Sequence, residues 1–222
     1  MAEYLALERK LTLKVVYYGP ALSGKTTNLM QLHTQLQPQR KGELMVLETR
    51  DDRTLFFDVL PIGLRSPSGL DLRLKLYTVP GQVQHDSTRK AVLSRADGVI
   101  FVADSQPAQQ DNNANAFVNL VDCLQKLGMD IEQLPLVVQF NKRDVVDAVD
   151  EAELQERWAD TPWAPLSMAS ALNGQGVVET FRKLLSRLYP HLDAEFRLAK
   201  NEGLSSADFV RYLSDVSVCG NA

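Results

Sequence analysis

Apolar residues recur in runs of strand length: LTLKVVYY (11–18), TLFFDVLPI (54–62), LDLRLKLYTV (70–79), GVIFVAD (98–104), LPLVVQF (134–140) and APLSM (164–168). Between them, the stretches near 25–36, 87–95, 112–127, 151–158 and 177–189 space their apolar residues as helices do. Strands alternating with helices predict an α/β fold, a mostly parallel sheet of six or seven strands with helices on both faces. The exception is 54–79, where RSPSG at 65–69 reads as a turn between two strands and so predicts one antiparallel strand. Leu72, Leu74, Leu76 and Thr78 alternate with Arg73, Lys75, Tyr77 and Val79, the period of a strand with one face inside. Thr78 is therefore expected at the C-terminal end of its strand, on the rim where open α/β sheets bind ligands.

Composition narrows the function classes. With 222 residues, 45% of them hydrophobic and 23% charged, the chain has the length and apolar content for one well-buried core. A formal charge of -4 and the lack of a Lys/Arg run argue against nucleic acid as a partner. Cys123 and Cys219 belong to no metal or redox spacing and are expected as free thiols. The start MAEYLALERK lacks the order of a signal peptide, Ala2 stands where a myristoyl site needs glycine, and CGNA is no prenylation signal. No run of ~18 apolar residues occurs, so no integral membrane contact is expected and the expected compartment is the cytoplasm.

Chemistry enters with GPALSGKT, a match to G-x-x-x-x-G-K-[ST] lying between the strand at 11–18 and a helix. Glycines let such a loop curl its N–H groups around a phosphate, and the following helix N-terminus adds positive potential. Gly19, Leu22, Ser23, Gly24, Lys25, Thr26 and Thr27 are the residues expected on the nucleotide. Lys25 would bridge the β- and γ-phosphates, and the Thr26 hydroxyl would ligate Mg²⁺.

The base is addressed by FNKRD, where Asn141, Lys142 and Asp144 follow the strand at 134–140 on the same rim. An Asp144 carboxylate can accept both the N1–H and the exocyclic amine of guanine, a pair adenine does not offer. SAL at 170–172 follows the strand at 164–168 and could turn backbone N–H groups of Ser170, Ala171 and Leu172 to the guanine O6, or be an ordinary loop.

YYGPALSGKTTNL, DRTLFFDVLP, LYTVPGQV, RK, DGVIFVADSQ and NKRD, in this order, resemble the small Ras/Arf-like GTPases and most narrowly the bacterial MglA family, over roughly residues 11–190. The resemblance implies a P-loop small-GTPase fold, GTP/GDP and Mg²⁺ as ligands, and slow hydrolysis of GTP to GDP and phosphate. TVPGQ at 78–82, where Asp-x-x-Gly-Gln is usual, is itself a feature of that family. A threonine hydroxyl can hold a Mg²⁺-bound water by a hydrogen bond, with one negative charge fewer. The resemblance further implies that Thr54 is the switch I ligand of nucleotide and metal, that the Gly81 N–H touches the γ-phosphate, and that Gln82 orients the attacking water. Arg53 becomes an arginine finger in cis, with a solvated loop arginine as the plainer alternative. The segments 40–56 and 80–95 become switches. Implied partners are a Roadblock-type, MglB-like GTPase-activating homodimer and effectors of cell polarity or gliding motility, with recruitment to a cell pole.

The chain divides, on this reading, into a G domain at 1–190 and a helical extension at 191–222. Ser205 and Asp208 resemble a capping box, and Phe209, Tyr212, Leu213 and Val216 fall at helical spacing. The extension could dock on its own core or serve as an arm for a partner. His33, His85 and His191 are isolated from other ligand types, and Trp158 and Trp163 are expected to pack a loop onto the core. Two rival readings remain: a nucleotide-holding adaptor without turnover, favoured by Thr78, and an ATPase or small-molecule kinase, disfavoured by Asn141, Lys142 and Asp144.

Overall fold

The computed structural model of the protein describes residues 2–47, 57–66, 68–79 and 86–216. The expectations for Arg53, Thr54, Gly81, Gln82, His85 and Cys219 lie outside the described residues. The strands are β1 (Glu3–Leu5), β2 (Lys10–Tyr18), β3 (Met45–Leu47), β4 (Phe57–Arg65), β5 (Asp71–Thr78), β6 (Gly98–Asp104), β7 (Leu136–Asn141) and β8 (Ser167–Met168). The helices are α1 (Lys25–Gln35), α2 (Asp86–Leu93), α3 (Gln110–Lys126), α4 (Glu151–Trp158), α5 (Val177–Phe196), α6 (Leu198–Glu202) and α7 (Ser206–Leu213).

Seven strands lie in the order β3-β4-β5-β2-β6-β7-β8, and β4 alone among them runs against the rest. This is the mostly parallel sheet that the alternation predicts, with β4 as its antiparallel strand, and the short β1 adds an antiparallel pairing to β2. The reversal comes at Ser66–Leu70, where the Ser66 N–H donates to the Leu70 carbonyl, the Leu70 N–H donates back to the Ser66 hydroxyl, and Gly69 takes φ 91. The three-residue strands β1 and β3 are too short to show a period of their own, and the sequence pattern misses them.

Alternation sorts the core into two layers. Leu11, Leu13, Val15 and Tyr17 of β2, with Ile100, Val102 and Val137, pack with α1, α5 and α7; Val16, Tyr18, Phe101, Val138 and Phe140 pack on the opposite face with α2, α3 and α4. On that second face Phe117 meets Trp158 and Trp163 edge-on, with ring centroids 5.4 and 5.0 Å away, so both tryptophans are packing residues.

α5 runs past Pro190, where the sequence pattern ends it at 189. Proline removes one helical hydrogen bond, but Leu188 and Leu192 continue the buried stripe on either side of it, and their burial outweighs that loss. The helix stops at Arg197, left-handed at φ 54, whose N–H caps the Asp193 carbonyl. In α7 the Ser205 hydroxyl accepts the Asp208 N–H, while Phe209 and Leu213 are fully buried against the α1–α5 layer. The Gln37 N–H donates to the Asp215 carbonyl at 3.1 Å, so this helix is docked on its own core. No helix among the described residues is long and apolar enough to cross a membrane.

Candidate functional site

Parallel pairing brings the strand ends to one rim. Tyr17 lies opposite Thr78, Tyr18 opposite Phe101, and Asp104 opposite Asn141. The loop from Gly19 to Gly24 leaves this rim from β2 and enters α1. A Cβ on Gly19 would lie 2.2 Å from the Val102 carbonyl oxygen, and one on Gly24 would lie 2.3 Å from the Asn141 amide nitrogen, so neither site admits a side chain. Both glycines have positive φ, 144 and 94, as does Leu22 at 62, and this bends the chain back on itself.

Gly24 is the N-cap of α1 and supplies no side-chain cap, which leaves that helix end open to an anion. Lys25 is buried, and its ammonium donates to the Gly19 and Pro20 carbonyls at 3.0 and 2.6 Å, on the loop it begins beneath. The Ser23 hydroxyl is buried with no hydrogen-bond partner among the described residues. Thr26 and Leu22 are exposed, and Thr27 is half-buried. The arrangement fits a polyphosphate: a cradle that a Cβ would fill, a helix N-terminus and an ammonium group on one curve of backbone.

Asn141 joins this loop to the one at 170–172. Its side-chain nitrogen donates to the Ser23 carbonyl at 2.8 Å, and its side-chain oxygen accepts the Ala171 N–H at 2.8 Å. Ser170 and Ala171 are buried and Leu172 is exposed, so SAL is a fastened loop. Asp144 is exposed at the rim, with one carboxylate oxygen accepting the Ser170 hydroxyl. Lys142 is left-handed at φ 66 and its ammonium lies 2.6 Å from the Asp104 carboxylate.

Asp104 stands on the same rim, and motif reasoning misses it. Its carboxylate is buried, accepts the Gln106 N–H at 3.0 Å, and its backbone is held on both sides by the Asn113 amide at 2.9 and 2.8 Å. Its signal is an acid at the rim end of the apolar run GVIFVAD. Thr78 is buried at the end of β5, beside the strand that carries the cradle. The structure thus brings together Gly19, Leu22, Ser23, Gly24, Lys25, Thr26, Thr27, Thr78, Asn141, Lys142, Asp144, Ser170, Ala171 and Leu172 on one rim.

Comparison with known proteins agrees with this geometry. The model of the Arf family, the ADP-ribosylation factor family, matches residues 2–188. The chain is 43% identical over 174 residues to the mutual gliding-motility protein MglA of Myxococcus xanthus, covering 78% of this chain and 89% of that protein. It is 23% identical over 145 residues to the GTPase Der of Persephonella marina, covering 63% of this chain and 28% of that longer protein. The family match over residues 2–188, together with the 43% identity to the Myxococcus protein, makes this chain a member of the ADP-ribosylation factor family, a small GTPase of the MglA type that binds and hydrolyses GTP.

Proposed function

We propose that the chain is a Mg²⁺-dependent switch controlling cell polarity or gliding motility, its hydrolysis of GTP stimulated by a Roadblock-type, MglB-like homodimer. The observation that supports the reading is the double tie of Asn141 to Ser23 and Ala171, which joins the loop proposed to grip the phosphates to the loop proposed to face the base. The name of the Myxococcus relative, a gliding-motility protein, supports the cellular role. The switch would act in the cytoplasm, with recruitment to a cell pole.

In this reading the residues from Gly19 to Thr27 surround the phosphates, Asp144 accepts two N–H groups of guanine, and Ala171 and Leu172 face its O6. Thr26 and Thr54 would hold Mg²⁺ directly and Thr78 through a water; bound there, the ion neutralises charge on the β- and γ-phosphate oxygens. With a hydroxyl in place of a carboxylate at Thr78, Mg²⁺ would depend more on Thr26, Thr54 and the γ-phosphate, and would be held less tightly with GDP. Gln82 orients the attacking water and Arg53 meets the charge that develops on the transferred group.

Single-turnover hydrolysis of Mg²⁺-GTP by the full chain tests this, with and without the homodimer. Partner-accelerated turnover is expected, reduced by about 10³–10⁵ in Arg53→Ala and lost in Gln82→Leu. Thr78→Asp is expected to raise the Mg²⁺ affinity of the GDP form; an equal affinity removes the metal role of Thr78. A chain that holds GTP tightly yet turns none over under any of these conditions is the nucleotide-holding adaptor instead.

A further inference from the structure

β7 carries a polar residue inside an apolar strand. Gln139 is fully buried, on the face of β7 shared with Asn141, between α1 and α5. Its amide nitrogen donates to the Asn28 side-chain oxygen at 3.0 Å and to the Thr180 hydroxyl at 2.9 Å, which uses both hydrogens. Asn28 is also fully buried, and its side-chain nitrogen donates to the Gly24 carbonyl at 3.0 Å. The Asn28 backbone N–H reaches the same carbonyl at 2.9 Å. At the other end the Thr180 hydroxyl donates to the Gly176 carbonyl at 2.6 Å. Both ends of this chain are carbonyl groups, so Asn28 and Thr180 must donate outward and accept from Gln139; no other direction of the hydrogens satisfies all four bonds.

Such a chain needs a reason. Burying amides is costly unless they are bonded, and leucine at both positions would fill the core with no such requirement. The reason lies at Gly24. In a trans peptide the carbonyl and the next N–H point in opposite directions, so the orientation of the Gly24 carbonyl sets that of the Lys25 N–H. Two donors from Asn28 draw the Gly24 carbonyl along the α1 axis and thereby aim the Lys25 N–H outward, into the cradle. Glycine at φ 94 has the widest rotational freedom of any residue, and here that freedom is removed from outside the loop.

We propose that Asn28 and Gln139 are positioning residues of the phosphate site, fixing the Gly24–Lys25 peptide so that the Lys25 N–H meets the β-phosphate of the bound nucleotide. Asn141 ties the loop at Ser23, and the Asn28–Gln139 chain ties it one peptide further on, so β7 holds the cradle at two successive points. The proposal rests on the nucleotide reading of the cradle given above.

The test compares GDP with GMP, which lacks the β-phosphate, as ligands of the full chain and of Asn28→Leu and Gln139→Met. Loss of the Asn28 tie is expected to weaken GDP by about tenfold, leave GMP affinity unchanged, and move the β-phosphate ³¹P resonance of bound GDP. Gln139→Met, of similar length, is expected to shift both GDP readouts in the same sense, and it carries the test if Asn28→Leu does not fold. Unchanged GDP affinity in a folded variant, or equal losses for GDP and GMP, overturns the proposal. A parent chain that binds GMP as tightly as GDP overturns instead the phosphate reading on which it rests.

Discussion

At the scale of single residues, the site is decided by close approaches between backbone and side chains of different elements. Gly24 lies where a Cβ would sit 2.3 Å from the Asn141 amide, at a φ of 94 that other residues rarely adopt. Gly24→Ala is therefore expected to break the tie from Asn141 to Ser23 and to cost about 1–3 kcal/mol in strain. Calorimetric titration with GDP should show weaker binding by about tenfold or more; parent-like affinity would mean that the loop can shift without loss. The motif GPALSGKT makes these glycines legible in the sequence because spacing and residue type are local. What presses on them is not: Val102 and Asn141 lie about 80 and 120 positions away in the chain and meet the loop only once strands β6 and β7 are in the sheet.

At the scale of elements, the strand ends opposite the rim that carries the glycine loop have a different electrostatic feature. The Asp97 carboxylate, just before β6, accepts the Lys14 N–H at 2.8 Å. Burial raises the Asp97 pKa above its ordinary 3.8, with the Lys14 hydrogen bond opposing that shift. Burial also lowers the pKa of Lys14, so for both groups desolvation outweighs their mutual attraction. An acid whose folded pKa is raised contributes stability that is complete below its unfolded pKa and is lost as pH rises through the folded value. Asp97→Asn keeps an acceptor for the Lys14 N–H and carries no charge. Urea denaturation from about pH 4 to about pH 7 should show the stability difference moving in favour of the variant as pH rises; a difference independent of pH would count against a desolvated carboxylate. The strands themselves were legible from apolar runs, and α5 shows the limit of that reading. Pro190 reads as a stop in one dimension, yet burial of Leu188 and Leu192 carries the helix to Phe196.

At the scale of the whole molecule, binding and stability are linked, because the glycine loop and the Asn141 loop leave one sheet and come together only in the folded chain. GDP at 100 times its Kd is expected to raise the unfolding free energy by about 2.7 kcal/mol, read as a higher Tm, and ADP at the same concentration to raise it far less. Equal protection by ADP would sink the assignment of the base grip. The sequence by itself determined the alternation of the longer strands with helices, the glycine loop at 19–27, the FNKRD stretch that follows β7, and a helix opening near Ser205, since each is written in spacing over a few neighbouring residues. Tertiary structure alone decided that Asp104 would pair with Lys142, that Asn141 would join two loops, that the extension would dock on the α1–α5 layer, and that Gln139 would meet Asn28 and Thr180. The physical reason is that these contacts join positions far apart in the chain. A buried polar group acquires its meaning only from the partner that packing brings to it.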